Sequence, residues 1–199
     1  MTTAEVRRLD PSELLGLAAD LRAVYARAFE RPPWHEPDHK ADDYLARLRS
    51  DVARPGFTAV AALDTCGRPV GFATAWTTPR LFPSDRCHPY ARKALGDGAT
   101  RELLCGAREI DELAVHPDHQ RKGIGAALLE AVSADAPGGR CWLFTAAAAG
   151  GPMDFYLRLG WQPVTRPAPH PAGVLVLLGP RHPGADVATR RVALVGATQ

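Results

Sequence analysis

The spacing of apolar residues divides the first half of the chain into strands and helices. Apolar residues that alternate with polar ones indicate half-buried strands, and apolar residues three or four positions apart indicate amphipathic helices. These patterns predict a strand at Ala4–Leu9, helices at Leu14–Phe29 and Asp42–Val52, and strands at Phe57–Leu63 and Pro69–Thr77 joined by a turn at Asp64–Arg68. Asp10 precedes the first helix as a cap, and Pro32 and Pro33 prevent its continuation.

The second half begins with an irregular stretch, Pro79–Gly106, for which we predict one short helix at Tyr90–Leu95. Strands and helices then follow in turn. We predict a strand at Arg108–Val115, a helix at Gly123–Asp135, a strand at Cys141–Thr145, a helix at Met153–Leu159, and strands at Trp161–Val164 and Val174–Leu178. From Arg181 onward the composition becomes that of a tail, in which residues 191–195 are a further candidate strand.

This order of elements predicts the α/β class. Strands and helices that follow one another in this way form a mixed twisted sheet with helices on both faces. A chain of 199 residues is long enough for one ordinary domain with a full hydrophobic core. We therefore predict a single domain over residues 1–180 and a C-terminal tail over residues 181–199.

Composition and charge narrow the classes of function. The chain is 46% hydrophobic, as in globular proteins, and it carries 24 Lys and Arg against 22 Asp and Glu. This balance lacks the basic footprint of a nucleic-acid-binding protein. We find neither an apolar run of roughly 20 residues that could span a bilayer nor a signal peptide. The four cysteines form no C-x-x-C pair, so we expect a cytoplasmic protein. From the charge balance and the missing apolar run we expect neither nucleic-acid nor membrane partners.

The loop that joins the strand at Arg108–Val115 to the next helix carries the clearest chemistry. Residues Gln120–Ala126 read Q-R-K-G-I-G-A. The first N–H groups of a helix lack intrahelical partners and lie at the positive end of its dipole, which suits them to phosphate. Gly123 and Gly125 have no Cβ to keep a phosphate away from the backbone. The loop matches neither the Walker P-loop nor the complete Rossmann fingerprint.

Two segments of the chain resemble the GNAT family of acyl-CoA N-acyltransferases. Gln120–Ala126 matches that family's Q/R-x-x-G-x-G/A motif, and Leu113–Pro117 before it matches the family's central strand. Phe155–Trp161 resembles the family's F-Y-x-x-x-G-F/W segment. The resemblance covers roughly residues 4–179. It implies a mostly antiparallel sheet of six to seven strands that is splayed at a central bulge near Val115.

The resemblance also implies acetyl-CoA as the co-substrate and no metal. The pyrophosphate would lie on the N–H groups of the loop, and the pantetheine arm would pair with the edge of the central strand. The N–H of Val115 would polarise the thioester carbonyl. The implied cofactor-binding residues are Leu113, Ala114, Val115, Gln120, Arg121, Lys122, Gly123, Ile124, Gly125 and Ala126.

The activity that the resemblance implies is transfer of an acetyl group to a primary amine by direct attack. The amine must first lose a proton to a base. Glu109 and Glu112 on the central strand are the two candidates, and the choice between them stays open. Tyr156 matches the family's tyrosine that protonates the departing thiolate.

The segment His35–His39 is a literal match to the H-E-x-x-H motif of zinc proteases. That motif needs both histidines on one helix, and Pro37 between them is incompatible with a helix interior. We therefore interpret the segment as a loop. In the resembling family this loop borders the acceptor site, so Trp34, Glu36 and Asp38 are candidate contacts to a cationic amine.

The chain departs from the family pattern at two places. Ala149 stands where the family often has an asparagine that contacts the cofactor arm, which keeps a non-catalytic acyl-CoA sensor as the alternative function. The stretch Pro79–Gly106 is longer than the family leads us to expect, and we place it over the acceptor pocket as a hypothesis. The acceptor stays open between small-molecule and peptide amines, and a homodimer is an expectation by family analogy alone.

Overall fold

A computed structural model describes residues 4–147, 151–166 and 173–185 of the chain. Within these ranges the chain forms seven strands and six helices. In chain order they are β1 (Glu5–Leu9), α1 (Pro11–Gly16), α2 (Ala18–Phe29), α3 (His39–Asp51), β2 (Thr58–Leu63), β3 (Pro69–Thr77), α4 (His88–Leu103), β4 (Arg108–Val115), α5 (Ile124–Ser133), β5 (Cys141–Ala146), α6 (Pro152–Arg158), β6 (Gln162–Pro163) and β7 (Val174–Leu178).

The strands form one sheet in the order β1-β2-β3-β4-β5-β7-β6. Four neighbouring pairs, β1 with β2, β2 with β3, β5 with β7 and β6 with β7, run antiparallel. The pairing of β2 with β3 shifts its register between Ala62 and Leu63. The predicted α/β class and the mostly antiparallel sheet of six to seven strands are therefore confirmed.

The chain folds into two compact units, each with its own core. The first unit comprises the described residues of Met1–Trp76 and Ile110–Ala134, and the second those of Thr77–Glu109 and Asp135–Gln199. The fully buried side chains in the core of the first unit include Leu14, Leu21, Tyr44, Leu48 and Phe72. Those in the core of the second unit include Leu104, Trp142 and Leu178. The predicted domain boundary at residue 180 stays a prediction.

The predicted first helix is two helices. The carboxylate of Asp10 accepts a hydrogen bond from the N–H of Glu13 at 2.8 Å, and the Glu13 carboxylate accepts one from the N–H of Asp10 at 2.9 Å. This capping box starts α1, as the sequence predicted. The helix is interrupted at Leu17, directly after Gly16, because glycine favours the helical state less than other residues do.

Removing the cap of α1 tests this local assignment. We expect Asp10→Ala to lower the free energy of unfolding by about 1 kcal/mol, because an N–H group of the first turn loses its acceptor. Urea denaturation followed by circular dichroism measures the change. Asp20→Ala on α2 is the matched control, and we expect it to change stability by less than about half as much. Equal effects of the two substitutions would contradict the assignment.

The helix predicted within Pro79–Gly106 was placed correctly, but its predicted extent was wrong. It runs from His88 to Leu103, and only Gly96 inside it departs from helical geometry, with φ 78° and ψ 161°. Two glycines, Gly96 and Gly98, weaken the helical pattern in the sequence. The buried residues His88, Ala91, Thr100 and Leu103 form the face that holds the helix in place.

Helix α5 packs against the sheet of the first unit through Ile124, Leu128, Leu129 and Val132, which are all buried. A close approach at Gly71 on β3 makes this packing feasible. A Cβ atom on Gly71 would lie 3.0 Å from the Ala114 carbonyl oxygen, 3.1 Å from Leu128 Cδ1 and 3.2 Å from Val115 Cγ2. Glycine is therefore the residue that lets α5 and β4 lie this close to β3.

The remaining predicted elements agree with the structure to within about three residues at either end, and β6 is shorter than predicted. The candidate strand at residues 191–195 and the departure at Ala149 lie outside the described residues. In the part of the chain that the structure describes, we find no helix with the length and apolar character needed to cross a membrane.

Candidate active site

Two side-chain hydrogen bonds hold the loop between β4 and α5. The amide nitrogen of Gln120 donates to the carbonyl oxygen of Val115 at 3.0 Å, which ties the loop to the end of β4. The Lys122 ammonium donates to the carbonyl oxygen of Asp118 at 2.7 Å. The predicted cofactor residues Gln120 and Lys122 therefore shape the loop itself.

The backbone of this loop presents a row of N–H donors. Arg121 and Gly123 have φ angles of 56° and 81°, and Gly123 precedes α5 without a side-chain cap. The first bonded N–H of the helix is that of Ala127, which donates to the carbonyl oxygen of Gly123 at 3.0 Å. Among the described residues, none accepts a hydrogen bond from the six N–H groups of residues 121–126. These donors fit a diphosphate.

Open space lies in front of the loop. Arg121, Lys122 and Gly123 are exposed, and a Cβ atom built on Gly123 would meet no described atom within 4 Å. Ile124, in contrast, is buried and anchors the start of α5. The loop thus offers its backbone outward while its apolar side chain points into the core.

The predicted cofactor residues on β4 alternate in burial. Ala114 is buried in the core of the first unit, whereas Leu113 and Val115 on the opposite face are partly exposed. Beyond the strand, the N–H of His116 donates to the carbonyl oxygen of Val70 on β3 at 2.9 Å.

Glu109, one of the two candidate bases, lies in a buried hydrogen-bonded cluster of the second unit. Its side chain is 3% exposed, and its Oε1 lies 2.9 Å from Nε2 of His88. The Thr78 hydroxyl donates to Glu109 Oε2 at 3.4 Å, and the Trp142 indole N–H donates to the Thr78 hydroxyl at 2.7 Å. Sequence reasoning missed His88, because it lies in the stretch that gave no motif.

The surroundings of His88 favour its protonated form. Its Nδ1 lies 2.9 Å from the carbonyl oxygen of Asp85 and 3.4 Å from the Asp85 carboxylate. Burial acts to lower the pKa of His88, but the hydrogen bond and charge of Glu109, together with Asp85, raise this pKa above its usual value. These contacts therefore stabilise the fold below the usual histidine pKa, and the contribution is lost as pH rises through the raised value.

Glu112, the other candidate base, belongs to a different cluster in the first unit. Burial raises the pKa of the Tyr25 hydroxyl, and the charges of Glu112 and Glu36 raise it further. The Tyr25 hydroxyl donates to Glu36 Oε2 at 2.8 Å. Burial also raises the pKa of Tyr44, again with a contribution from Glu112. Glu112 and Glu36, the second of which the sequence predicted on the acceptor side, therefore both act on the Tyr25 hydroxyl.

The other two predicted acceptor contacts have partners of their own. Trp34 packs edge-on against Phe29, with ring centroids 5.9 Å apart. The Asp38 carboxylate lies 2.6 Å from the Arg22 guanidinium, which also binds Asp42 at 2.7 Å. The negative charge of Asp38 is therefore partly compensated, because it shares the single positive charge of Arg22 with Asp42.

The zinc-protease match does not have the geometry of that motif. His35 lies in a loop with a φ angle of 48°, whereas His39 is the first residue of α3. The two histidines therefore do not share a helix. Over the described ranges, we find no group of three or more His, Cys, Asp or Glu side chains arranged to hold a metal ion.

Tyr156, the predicted general acid, lies on α6 in the second unit and is 8% exposed. Its ring contacts Phe155 and Trp161 edge-on, with centroids 5.1 Å and 5.9 Å away. The N–H of Trp161 donates to the Tyr156 carbonyl oxygen at 3.0 Å. The Phe155–Trp161 segment is thus a small packed unit that holds the tyrosine ring.

Comparison with known families identifies the class. A family model described as the acetyltransferase (GNAT) family matches residues 19–161. This match covers well over half of the sequence, and the chain belongs to the acetyltransferase (GNAT) family. The resemblance drawn from the loop and from Phe155–Trp161 is therefore confirmed.

Solved structures share the fold at low sequence identity. The chain is 19% identical to a histone acetyltransferase HPA2 and related acetyltransferase from Corynebacterium glutamicum, with a TM-score of 0.60 over 91% of this chain and 97% of that one. It is 13% identical to the PaiA N-acetyltransferase from Thermoplasma acidophilum in complex with coenzyme A, with a TM-score of 0.55 over 89% and 98% of the two chains. No curated protein sequence matches the chain significantly.

Proposed function

We propose that this protein is an acetyl-CoA-dependent N-acetyltransferase that transfers an acetyl group to a primary amine. The observation that carries the proposal is the row of N–H donors at residues 121–126, which have no acceptor among the described residues. Membership of an acetyltransferase family supports the same function. The relative from Thermoplasma acidophilum, whose structure holds coenzyme A, adds to this support.

Each part of the β4–α5 segment has a role in this proposal. Acetyl-CoA supplies the activated acetyl group as a thioester. Residues Arg121–Ala126 bind its diphosphate through their N–H groups, while Gln120 and Lys122 hold the loop in shape. Leu113 and Ala114 lie on the strand whose edge receives the pantetheine arm. The Val115 N–H polarises the thioester carbonyl.

Proton transfer needs a base for the amine and an acid for the departing sulfur. Glu109 and Glu112 are the candidate bases, and they lie in different clusters, one around His88 and the other around Tyr25. Tyr156 is the proposed general acid. Its buried ring, packed by Phe155 and Trp161, favours one fixed orientation of the hydroxyl.

The proposed acceptor carries a positive charge near the reacting amine. Two carboxylates, Glu36 and Glu112, and one guanidinium, Arg47, act on the Tyr25 hydroxyl, so negative charge is in excess there. Trp34 adds an aromatic surface for the acceptor. Asp38 is the third proposed contact to the acceptor, and its carboxylate is held by an ion pair with Arg22. Small-molecule and peptide amines both fit this description. A cytoplasmic location, consistent with four free cysteines, and a homodimer remain part of the proposal.

Adding one methyl group at Gly123 tests the diphosphate site. We expect Gly123→Ala to weaken the binding of acetyl-CoA about tenfold, because a Cβ would enter the space in front of the donors and strain a positive φ. Isothermal titration calorimetry measures the affinity. Gly67→Ala is the matched control, because Gly67 has a φ of 75° and equally open surroundings but lies in the β2–β3 turn.

Comparison of Gly67→Ala with Gly123→Ala separates the effect of backbone strain from the effect of a methyl group in the cofactor site. Both variants should lose similar stability, and only Gly123→Ala should lose affinity for the cofactor. If the wild-type protein fails to bind acetyl-CoA at millimolar concentration, the proposed function is wrong. Thiol release from acetyl-CoA across a panel of amines then distinguishes an enzyme from the acyl-CoA sensor, which would bind the cofactor without turnover.

A further inference from the structure

Both ring nitrogens of His88 face oxygen atoms. Nδ1 lies 2.9 Å from the carbonyl oxygen of Asp85, and a carbonyl oxygen can only accept, so Nδ1 carries a proton. Nε2 lies 2.9 Å and 3.1 Å from the two carboxylate oxygens of Glu109, so a second proton lies between the ring and the carboxylate. This arrangement is that of an imidazolium paired with a carboxylate.

The rest of the pocket around His88 is apolar. The rings of Phe82, Phe144 and Trp142 contact the imidazole nearly edge-on at 5.3 Å, 5.8 Å and 6.0 Å. The charged groups that face the ring within the described residues are Glu109 from β4 and Asp85 from the segment before α4. A buried ion pair of this kind is retained only where additional hydrogen bonds satisfy both partners.

A buried histidine of the same unit shows the contrast. His182 is 4% exposed, its Nε2 donates to the carbonyl oxygen of Leu103 at 2.9 Å, and its Nδ1 accepts from the N–H of Gly184 at 3.0 Å. These partners fix a neutral ring. Burial accordingly lowers the pKa of His182, so the raised pKa of His88 follows from its carboxylate partner and not from burial.

We propose that His88 is a positioning residue for the acetyl transfer: as an imidazolium it orients the carboxylate of Glu109, and Glu109 is the base of the two candidates. This inference rests on the proposed function. In the step, an N–H bond of the acceptor ammonium breaks and an O–H bond forms on Glu109, directly or through a water molecule. The electron pair left on nitrogen forms a C–N bond at the thioester carbonyl carbon, the C–S bond breaks, and the departing thiolate takes a proton from the Tyr156 hydroxyl. The new amide nitrogen gives its surplus proton to the Tyr156 phenolate through water, and Glu109 returns its own proton to water.

The His88–Glu109 pair joins helix α4 to strand β4. His88 begins α4, within the stretch that exceeds the family pattern, and Glu109 lies on the central strand β4. The His88–Glu109 contact therefore attaches the extra helix to the strand at the position of the proposed base. Thr78, which donates to the same carboxylate, adds a neutral donor whose own partner is the Trp142 indole.

The first test requires neither cofactor nor acceptor. NMR titration of the seven ring systems in histidine-labelled protein follows His88, which is assigned by the signal missing in His88→Gln. We expect the pKa of His88 to lie above the ordinary histidine value. Glu109→Gln should lower its titration midpoint by about one pH unit or more, because the opposite charge is gone. His182 should not respond. A His88 midpoint unmoved in Glu109→Gln would overturn the pair.

The second test measures the role in catalysis. In His88→Leu, kcat should fall about tenfold while the affinity for acetyl-CoA stays within about twofold of wild type, because Glu109 loses the donor that orients it. His88→Gln, whose amide N–H can still donate to Glu109, should recover part of that loss, and His182→Gln is the matched control with kcat unchanged. A purely structural role of His88 would lower kcat equally in both His88 variants, and that result would overturn the proposal. Failure of the proposed function shows itself differently, as an absence of acetyl-CoA binding in the wild-type protein.

Discussion

Tyr156→Phe should lower kcat about 100-fold while leaving the affinity for acetyl-CoA within about twofold of wild type. The physical reason is that the phenol supplies a proton to the departing sulfur, and a positioned general acid contributes about two to four orders of magnitude in rate. Phenylalanine retains the ring that packs against Phe155 and Trp161, so the local fold should persist. Steady-state kinetics of thiol release and calorimetric binding measure the two quantities separately.

The same substitution elsewhere in the second unit provides the control. Tyr90 lies on α4 and is partly exposed, and Tyr90→Phe should leave kcat within about twofold of wild type. A Tyr156→Phe variant that turns over at the wild-type rate would contradict the general-acid role. If the variant loses affinity for the cofactor while kcat stays at the wild-type value, Tyr156 is a packing residue and not the general acid.

Leu128→Ala is expected to lower the free energy of unfolding by about 2–5 kcal/mol. Leu128 is fully buried on α5, so its truncation removes transfer free energy and leaves a cavity against β3. The N–H donors of the loop lie at the start of α5. The same variant therefore also tests whether the proposed cofactor site depends on the packing of this helix. Chemical denaturation gives the stability.

Leu81→Ala makes the same chemical change at a side chain that is 88% exposed. It should alter the free energy of unfolding by no more than about 0.5 kcal/mol, because water already surrounds the leucine. A similar loss of stability in both variants would mean that burial of α5 does not hold the first unit together.

The fold was predictable wherever the hydrophobic period was unbroken. Strands β3, β4 and β7 have the predicted bounds, since each is bordered by turn residues and filled with apolar or alternating ones. The extent of α4 was not predictable, because Gly96 and Gly98 lie in the middle of its sequence. Burial of its flanking turns compensates for those glycines, and this compensation is a tertiary effect that no local pattern contains.

The candidate site was predictable to a different extent in its two parts. Unpaired backbone N–H groups follow from the position of a loop before a helix, so the row of donors at residues 121–126 could be predicted from sequence, whereas their role in cofactor binding stays a prediction. Side-chain pairs depend on which distant residues meet. The contacts of Glu109 with His88 and of Asp38 with Arg22 join residues 21 and 16 positions apart, and neither could be inferred from spacing.

The close approach at Gly71 has a consequence for how this chain can vary. Gly71 has no reactive side chain, yet the absence of a Cβ atom at this position sets the separation between the start of α5 and the edge of β4. Any larger residue would press on Ala114, Val115 and Leu128 at once, and so would alter the alignment of the start of α5 with the edge of β4. Homologues with the same loop and strand motifs but a bulkier residue at this position would need a compensating loss of volume at Leu128.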